Sequence, residues 1–473
     1  MASQPHIVVF PFMAHGHTIP LLDLSKVLWC HGIRVTLITT PSNASFIRNS
    51  LSMYPQIRVI EIPFPHVHGL PQGCENMSQA PSKDILLIFL NATKLLREPF
   101  EKILEKMSQE CDLPICMIAD TFHGWTKMSC KSFGIPRLVF HGMGAFSMAV
   151  KKSLTLYPTH MDDKVVVKGV QTCFPLTKAD LPKSLTNDDG ISRFFLEAEY
   201  TDLGCWGVIV NSFLALEPNH VASLEALYGH GTKIWCVGPL MQYEFQMNEK
   251  DKEDENRSET VPAWAEWLNR HKCVGSVLYV SFGTETDFSN EQLDEVAHAL
   301  VMSGQDFIWV AKQPNWEPPG DVACHDGRGL ILRDWVDQRW VLAHKAIGGF
   351  LSHCGWNSVL ESLSCGVPML AWPMKAEQHL NAKFLAEELK VAMRVRLPCT
   401  RVEGGALVSR GVIYEGVKEL MQGENGQKAR ERAEEIGRMA REAVKGNGSS
   451  YNSLNDLINQ VKNLKSLKEK ILE

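Results

Sequence analysis

The first half of the chain alternates short apolar runs with stretches of helical pattern. Five runs rich in Val, Ile and Phe predict strands, at residues 6–12, 33–40, 57–64, 113–120 and 136–141. Residues 19–32, between the first two runs, carry apolar side chains at helical spacing and end on a glycine. Strands that alternate with helices of about 10–15 residues are typical of a parallel sheet with helices on both faces.

The second half repeats the alternation, with predicted strands at 276–284, 306–312, 346–353, 367–372 and 391–396, and is mostly helical from about residue 409. Residues 249–260 contain six acids, three bases and no large apolar residue, so they cannot build a core. We therefore predict an α/β protein with two parallel-sheet domains facing a cleft. The predicted boundaries are 1–240 for the first domain, 241–262 for an exposed acidic linker, 263–450 for the second domain and 451–473 for a C-terminal helix that packs one face on a domain.

Charge and composition narrow the function classes. The 473 residues carry a formal net charge of −6, which argues against nucleic acid as a partner. No apolar run reaches the roughly 18 residues of a membrane span, and the start MASQPHIVVF lacks the basic region of a signal peptide. The 13 cysteines include no C-x-x-C pair, which favours reduced thiols. We expect a cytoplasmic monomer without a membrane span.

The loop after the first predicted strand offers a candidate general base. His15 and His17 flank Gly16, and Pro20 is expected in the first turn of the next helix. Histidine titrates near neutral pH, and a carboxylate that fixes its tautomer makes it a better base. Asp120 ends the fourth predicted strand, at the same edge of the sheet. The alternative is that Asp120 caps a helix over residues 121–129.

The segment 335–383 has the features of a nucleotide-sugar site. A predicted strand runs into HCGWNS at 353–358, which opens a helix, and helix N-termini bind phosphate. Glu361 lies on the same helix face as Asn357 and Ser358 and suits a ribose. Trp335 suits stacking on a planar base, and Glu377 and Gln378 suit sugar hydroxyls.

These residues resemble the plant secondary-product UDP-glycosyltransferases, inverting enzymes with two Rossmann-like domains in the GT-B fold. The family's 44-residue donor signature begins at Trp-x-x-Gln and ends on an acidic residue and Gln, matching Trp335 through Gln378. The resemblance covers the whole chain, including Gly-His-x-x-Pro at 16–20 and Asp120. It implies an acceptor-binding first domain and a UDP-sugar-binding second domain.

The resemblance also implies roles for individual residues. It makes His17 the catalytic base and Asp120 its partner. It implies contacts with UDP and the sugar for Ser281, Thr284, Trp335, Val336, Gln338, His353, Trp356, Asn357, Ser358, Glu361, Glu377 and Gln378. The acceptor pocket is expected to include residues that follow the first, fourth and fifth predicted strands, namely His15, Phe122, His141, Gly142 and Phe146.

The chain departs from the family pattern at three places. Val336-Asp337 replace the usual Ala-Pro after the first Trp of the signature, which bears on the uracil edge. His15 replaces the usual Gln before Gly-His. Gly142 replaces a Thr that often touches the sugar.

Three other functions fit parts of the sequence. GMGAFS at 142–147 partly matches a dinucleotide-binding loop, although Ser147 replaces its third glycine. His353 and Cys354 suggest a thiol hydrolase, but the two are adjacent and no orienting residue is evident. A non-catalytic nucleotide-sugar-binding protein explains 335–378 and leaves His17 and Asp120 without a role.

We expect a UDP-glucose-dependent transferase that forms a β-glucoside on a small lipophilic acceptor, a flavonoid or other phenol, in one inverting displacement. The leaving diphosphate is met by a helix N-terminus, so no metal and no cofactor is expected. The same base serves for a terpenoid or steroid acceptor and for C-glycosylation of a phenol ring, and these alternatives stay open.

Overall fold

The computed structural model describes residues 4–159, 164–229, 231–251, 262–284, 288–313, 315–323, 327–396 and 407–472. The chain divides into two compact units. The first unit comprises Met1–Met247 and Glu442–Glu473, and the second comprises Asn248–Arg441. The C-terminal residues therefore return to the first unit.

A seven-stranded parallel sheet forms the first unit, in the order β3-β2-β1-β4-β5-β6-β7. Its strands are β1 His6–Phe10, β2 Arg34–Thr39, β3 Arg58–Glu61, β4 Cys116–Asp120, β5 Arg137–His141, β6 Gly207–Val210 and β7 Lys233–Cys236. Its helices are α1 His15–Cys30, α2 Pro41–Ser50, α3 Lys83–Lys94, α4 Arg97–Gln109, α5 Thr126–Ser132, α6 Ala145–Leu156, α7 Lys183–Thr186, α8 Gly190–Thr201, α9 Pro218–Tyr228 and α10 Leu240–Asp251, with 3₁₀ turns at Met77–Gln79 and Lys178–Asp180.

A six-stranded parallel sheet forms the second unit, in the order β10-β9-β8-β11-β12-β13. Its strands are β8 Val277–Ser281, β9 Asp306–Val310, β10 Gly329–Leu332, β11 Ile347–Ser352, β12 Met369–Ala371 and β13 Ala392–Arg394. Its helices are α11 Ala263–Asn269, α12 Asn290–Met302, α13 Gly320–Ala323, α14 Gln338–Leu342, α15 Trp356–Ser364, α16 Gln378–Lys383 with a π-helical turn at Phe384–Glu388, α17 Arg410–Gln422 and α18 Glu424–Val444, before α19 Ser449–Leu472.

Alternation along β1 explains the layered core of the first unit. Ile7 and Val9 belong to one apolar cluster and Val8 and Phe10 to another, because successive strand residues point to opposite faces. Both faces are therefore covered, as the near-continuous apolar runs predicted. α19 contributes Leu454, Leu457, Ile458 and Val461 to the first of these clusters. The apolar stripe of the last segment therefore serves the N-terminal unit.

The structure differs from the sequence prediction in some boundaries. β6, β7 and β10 were not predicted as strands; each has only four residues. The predicted linker began at 241, but α10 runs to Asp251 and buries Met241, Gln242 and Tyr243. Residues 252–261 of that linker lie outside the described residues. The second unit ends at Arg441, inside α18, rather than at 450.

None of the helices within the described ranges has the length and apolar character that a membrane span requires. The eleven cysteines of that part of the chain are free thiols.

Candidate functional site

Both sheets reverse their strand order at one point, and the predicted site residues lie there. In the first unit the order changes direction between β1 and β4, and in the second between β8 and β11. Open α/β sheets bind ligands at the carboxyl ends of the two strands that flank such a point. His17 follows β1 and Asp120 ends β4, whereas Ser281 ends β8 and His353 follows β11.

His17 and Asp120 are hydrogen-bonded although 103 positions separate them. Nδ1 of His17 lies 2.7 Å from Oδ2 of Asp120. α1 begins at His15, so His17 sits in the first helical turn, and its backbone N–H donates to the carbonyl of Ala14 at 3.0 Å. Pro20 accordingly lies inside the helix rather than in its first turn, because the helix starts earlier than the sequence suggested.

Asp120 is fully buried and does not cap a helix. Its Oδ1 accepts a hydrogen bond from the backbone N–H of Phe122 at 3.0 Å, and α5 begins only at Thr126. Burial acts to raise the pKa of Asp120, but the nearby His17, through charge and hydrogen bond, and the Phe122 N–H outweigh it, so the pKa is lowered. An ionised carboxylate only accepts hydrogen bonds, so Nδ1–H of His17 is the donor and Nε2 carries the lone pair.

Aromatic rings surround the imidazole of His17. The ring centroid of Phe122 lies 4.7 Å from that of His17, and the centroid of Phe12 lies 5.7 Å away. Phe122 in turn packs on Phe195 of α8 at 4.8 Å and on Phe194 at 6.4 Å. A flat apolar ring is therefore the kind of surface that this unit offers beside the histidine.

The five expected acceptor-pocket residues separate into two groups. His15, Phe122 and Gly142 are partly exposed at the carboxyl edge of the sheet, and a Cβ at Gly142 would lie 3.7 Å from the carbonyl oxygen of Gly16, in ordinary contact. The other two residues are buried. His141 is 1% exposed, with Nε2 2.8 Å from Asp202, and Phe146 is also 1% exposed, packed on Phe174 and His220.

In the second unit, two glycines hold the ring of His353. A Cβ at Gly283 would lie 2.8 Å from Nε2 of His353, and a Cβ at Gly355 would lie 2.6 Å from the same atom. Gly283 also has φ of +81°, which favours glycine. Ser281 is buried at the end of β8, and Thr284 is exposed in the loop that follows.

The helix that follows His353, α15, has no side-chain cap at its N-terminus. Its N-cap is Gly355, which has no side chain to accept from the first-turn N–H groups, and Asn357 and Ser358 lie in that turn. Such a terminus carries a partial positive charge and aims N–H donors outward. The arrangement can bind a diphosphate.

Gln338, Ser358 and Glu361 form one hydrogen-bonded group. Nε2 of Gln338 donates to Oγ of Ser358 at 2.9 Å and to Oε2 of Glu361 at 2.6 Å. Trp335, three residues before Gln338, is 54% exposed and can offer its face to a planar base, whereas Val336 is partly buried.

The end of the signature is arranged around Gln378. Its Oε1 accepts hydrogen bonds from the backbone N–H groups of Met374 and Lys375, both at 3.0 Å, which fixes the turn before Glu377. Gln378 is 7% exposed and Glu377 is partly exposed. Trp356, which is also expected to contribute to the sugar site, is 2% exposed.

Two alternative functions conflict with the geometry. At the start of α6, where a dinucleotide phosphate would bind, the Glu217 carboxylate already accepts from the N–H groups of Ala145 and Phe146 at 3.1 and 2.8 Å. Burial raises the pKa of the Cys354 thiol to about 12, so that Cys354 has no thiolate near neutral pH. Within the described ranges, no three His, Cys, Asp or Glu side chains come together as a metal site.

The sequence reasoning missed some residues around these sites. Phe12, Phe194 and Phe195 were not named, although Phe12 follows the first strand directly and Phe194-Phe195 are adjacent aromatics in a helical pattern. Gly283 was also missed, and its position between Phe282 and Thr284 in a post-strand loop was the available signal.

Family models match both halves of the chain. The model described as "Glycosyltransferase, N-terminal domain" matches residues 4–242, and "UDP-glucoronosyl and UDP-glucosyl transferase" matches 258–404. The chain is 36% identical to UDP-glycosyltransferase 73B4 of Arabidopsis thaliana, covering 97% of this chain and 99% of that protein. It is also 36% identical to UDP-glucose flavonoid 3-O-glucosyltransferase 7 of Fragaria ananassa, covering 98% and 97%.

Solved structures agree with these matches. UGT73P12 of Glycyrrhiza uralensis, complexed with glycyrrhetinic acid 3-O-monoglucuronide, has a TM-score of 0.85 at 29% identity, covering 99% of this chain and 98% of that one. UGT2 of Phytolacca americana, complexed with UDP-2fluoro-glucose and pterostilbene, has a TM-score of 0.82 at 29% identity, covering 97% and 100%.

Proposed function

Because the chain belongs to the plant secondary-product UDP-glycosyltransferase family, with its GT-B fold, and is a UDP-glycosyltransferase acting on small acceptors, we propose that it transfers glucose from UDP-glucose to a flavonoid or other phenol. The observation that carries the reaction is the 2.7 Å hydrogen bond between His17 and the buried Asp120. It supports a base whose Nε2 lone pair takes the acceptor proton.

The proposed reaction is a single displacement. Nε2 of His17 removes the proton of the acceptor hydroxyl while its oxygen attacks the anomeric carbon from the face opposite UDP. The bond from that carbon to the diphosphate oxygen breaks, and the α-linked donor becomes a β-glucoside. Asp120 stabilises the imidazolium that forms, so the new positive charge is met inside the first unit.

The second unit is proposed to hold UDP-glucose. The N-terminus of α15 with His353, Asn357 and Ser358 meets the diphosphate, aided by Ser281 and Thr284. Glu361 and Gln338 bind the ribose, Trp335 and Val336 bind the uracil, and Glu377 and Gln378 bind the sugar. A fixed array of donors stabilises the charge that develops on the leaving group, so the proposal needs no metal.

A phenolic acceptor is favoured by the partly exposed ring of Phe122 beside His17 and by the partly exposed ring of Phe195, which packs on Phe122. It is also in keeping with the flavonoid glucosyltransferase of Fragaria ananassa and with the pterostilbene in the Phytolacca americana complex. Stacked rings retain a flat acceptor with its hydroxyl near the imidazole.

The experiment incubates the protein with UDP-glucose and a panel of flavonols, simple phenols and triterpenoid alcohols, with and without EDTA, and analyses the products by mass spectrometry and NMR. We expect β-O-glucosides of the phenols in both conditions. His17→Ala should lower kcat by about 10²–10⁴-fold on weakly acidic hydroxyls and leave UDP affinity unchanged. Products from the triterpenoid alcohols alone would refute a phenol as the acceptor. Loss of activity in EDTA that Mg²⁺ restores would refute the proposal that the diphosphate leaves without a metal. A His17→Ala variant with more than half of wild-type kcat would refute the base.

A further inference from the structure

At the nucleotide end of the proposed donor site, one carboxylate accepts hydrogen bonds from both the backbone and the side chain of the same arginine. Asp337 is the N-cap of α14, and its Oδ1 accepts from the backbone N–H of Arg339 at 3.1 Å. The Arg339 guanidinium returns to the same carboxylate, with Nε donating to Oδ1 at 2.9 Å and Nη2 donating to Oδ2 at 2.7 Å. This bidentate pair is partly buried, at 15% exposure for Arg339 and 23% for Asp337.

The capped helix start determines where Gln338 points. Gln338 is the first residue of α14 and lies between the cap and the arginine that clamps it. Its Nε2 reaches Ser358 at 2.9 Å and Glu361 at 2.6 Å, on a helix 20 residues further along the chain. Three proposed donor contacts therefore depend on how the backbone enters α14.

Asp337 also places a negative charge near the proposed UDP site. Burial first, and then the negative charges of Glu361 and Asp337, raise the pKa of the Tyr279 hydroxyl, which is hydrogen-bonded with Ser281. Asp337 directly precedes Gln338, whose Nε2 donates to Glu361, so the chain places a second carboxylate next to the residue that contacts Glu361. A nucleoside diphosphate is itself an anion, so an unbalanced carboxylate here would repel it.

We propose that Asp337 is a positioning residue of the donor site that works only as a pair with Arg339: the cap sets Gln338 against Ser358 and Glu361, and the guanidinium cancels the charge that the cap introduces. The proposal rests on the proposed function, since it takes UDP as the ligand of this unit. It makes removal of the arginine more harmful than removal of the carboxylate charge.

The test measures UDP affinity by calorimetry on the full-length protein, five variants and one control variant, at low and at high salt. Asp337→Asn keeps an oxygen for the cap and drops the charge, so UDP should bind within about twofold of wild type. Asp337→Ala drops both, and we expect about fivefold weaker binding that is independent of salt. Asp337→Pro fits the φ of −70° at this position and should behave like Asp337→Ala.

Arg339→Gln leaves the carboxylate unbalanced, and we expect about tenfold weaker UDP binding at low salt, recovering at high salt. Adding Asp337→Asn to that variant should restore affinity. KM for UDP-glucose should follow these changes, with kcat and the acceptor KM unchanged. Arg432→Gln, which breaks the exposed pair with Glu435 on α18, is the matched control.

A double variant that binds UDP no better than Arg339→Gln would overturn the proposal, as would an Arg339→Gln variant with wild-type affinity at low salt. Melting curves of each variant separate misfolding from lost binding. An Asp337→Ala variant that binds UDP as well as Asp337→Asn would overturn the role of the cap. Wild-type protein that fails to bind UDP would instead overturn the proposed function.

Discussion

The two units bury very different polar side chains. The first unit buries acids and bases throughout its core: Asp23, Lys26, Asp120, Arg137, Lys151, Lys152, Asp180, Glu199, Asp202 and Glu217. In the described part of the second unit, Lys383 is the one buried Asp, Glu, Lys or Arg, and the other buried polar groups are hydroxyls and amides such as Ser358, Gln378 and Asn381. The first unit therefore buries many ionisable side chains, whereas the second unit buries mainly neutral polar ones.

At the site itself, this difference matches what each unit does in the proposed reaction. A base changes its own charge when it takes a proton, so the first unit needs a permanent counter-ion, and Asp120 supplies it. UDP-glucose brings its charge with it, so the second unit needs fixed donors such as the N-terminus of α15. A buried charge is costly unless it is paired. We therefore expect the stability of the first unit to be the more sensitive to removal of a single charged side chain.

Asp120→Asn is expected to have the largest effect, because it removes the counter-ion of the proposed base in the first unit. The asparagine Oδ1 can still accept from the Phe122 N–H, but its amide would donate to Nδ1 of His17 and move the ring proton to Nε2. We expect kcat to fall by about 10²–10⁴-fold. UDP affinity, measured by calorimetry, should stay at the wild-type value because the second unit is untouched. Turnover above half of the wild-type value would contradict the assigned role.

Glu199→Gln tests the buried charges directly. Glu199 lies 3.0 Å from Lys151 and 2.9 Å from Lys152, and all three are buried. Removing the carboxylate charge leaves two ammonium groups unpaired, which should cost about 3–5 kcal/mol of unfolding free energy. Hydrogen exchange should rise in α6 and not in α12. The exposed pair Glu98–Lys102 gives the control, since solvent screens this pair and Glu98→Gln should leave the unfolding free energy nearly unchanged.

We also expect a buried histidine of the first unit, His123, to make stability depend on pH. Burial, partly opposed by Asp120, lowers the pKa of His123 from 6.5 to about 4, so this histidine is neutral in the folded protein. The unfolded chain binds the proton more strongly, so stability is complete above pH 6.5 and is lost as pH falls towards 4, by about 3 kcal/mol.

His123→Leu removes that loss. At pH 7 the variant gives up the donation from Nε2–H to the carbonyl of Pro11 at 3.2 Å and should be about 1 kcal/mol less stable. In urea titrations, its unfolding free energy should change less than that of wild type between pH 6.5 and 4.5. His66→Gln, at an exposed position, should leave the wild-type profile unaltered. Equal slopes for wild type and His123→Leu would place the acid sensitivity elsewhere.

The smallest expected effect concerns sugar choice in the second unit. Gln378 uses Oε1 on the turn at Met374 and Lys375, so its amide N–H₂ is the group proposed to read the sugar. We expect glucose to be preferred over galactose and glucuronic acid, and Gln378→Ala to lower kcat/KM for UDP-glucose about tenfold. Gln378→Glu keeps an oxygen that can accept from Met374 and Lys375 but has no N–H₂, so it tests the proposed sugar contact with the turn retained. An unaltered ranking of the UDP-sugars in both variants would remove Gln378 from sugar recognition.

The donor segment was predictable because it is local. Residues 335–378 contain α14, β11, α15 and β12 in sequence, and parallel pairing of β11 with β12 brings the ends of these strands together without any distant partner. The His17–Asp120 pair was only half predictable. Strand ends put both residues at one edge of the sheet, but the pairing of β1 with β4, which makes them neighbours, depends on packing across the whole unit.

Side-chain direction was the least predictable property. His141 ends β5 at the correct edge, yet its ring turns into the core because Asp202 and Arg137 form a buried group there. Phe146 lies one residue inside α6, and the phase of that helix directs it towards Phe174. β10 was missed because it has only four residues, all partly buried, and lies at the edge of its sheet.

The return of α19 to the first unit has a consequence for synthesis on the ribosome. Leu454, Leu457, Ile458 and Val461 complete an apolar cluster that also contains Ile7 and Val9, and Nε1 of Trp235 donates to Asp456 at 2.7 Å. The first unit therefore lacks part of its apolar interior until residues 454–461 have been translated, after the whole of the second unit. During elongation the second unit can therefore fold before the first unit is complete. Until α19 packs against it, the N-terminal sheet keeps part of one apolar face exposed.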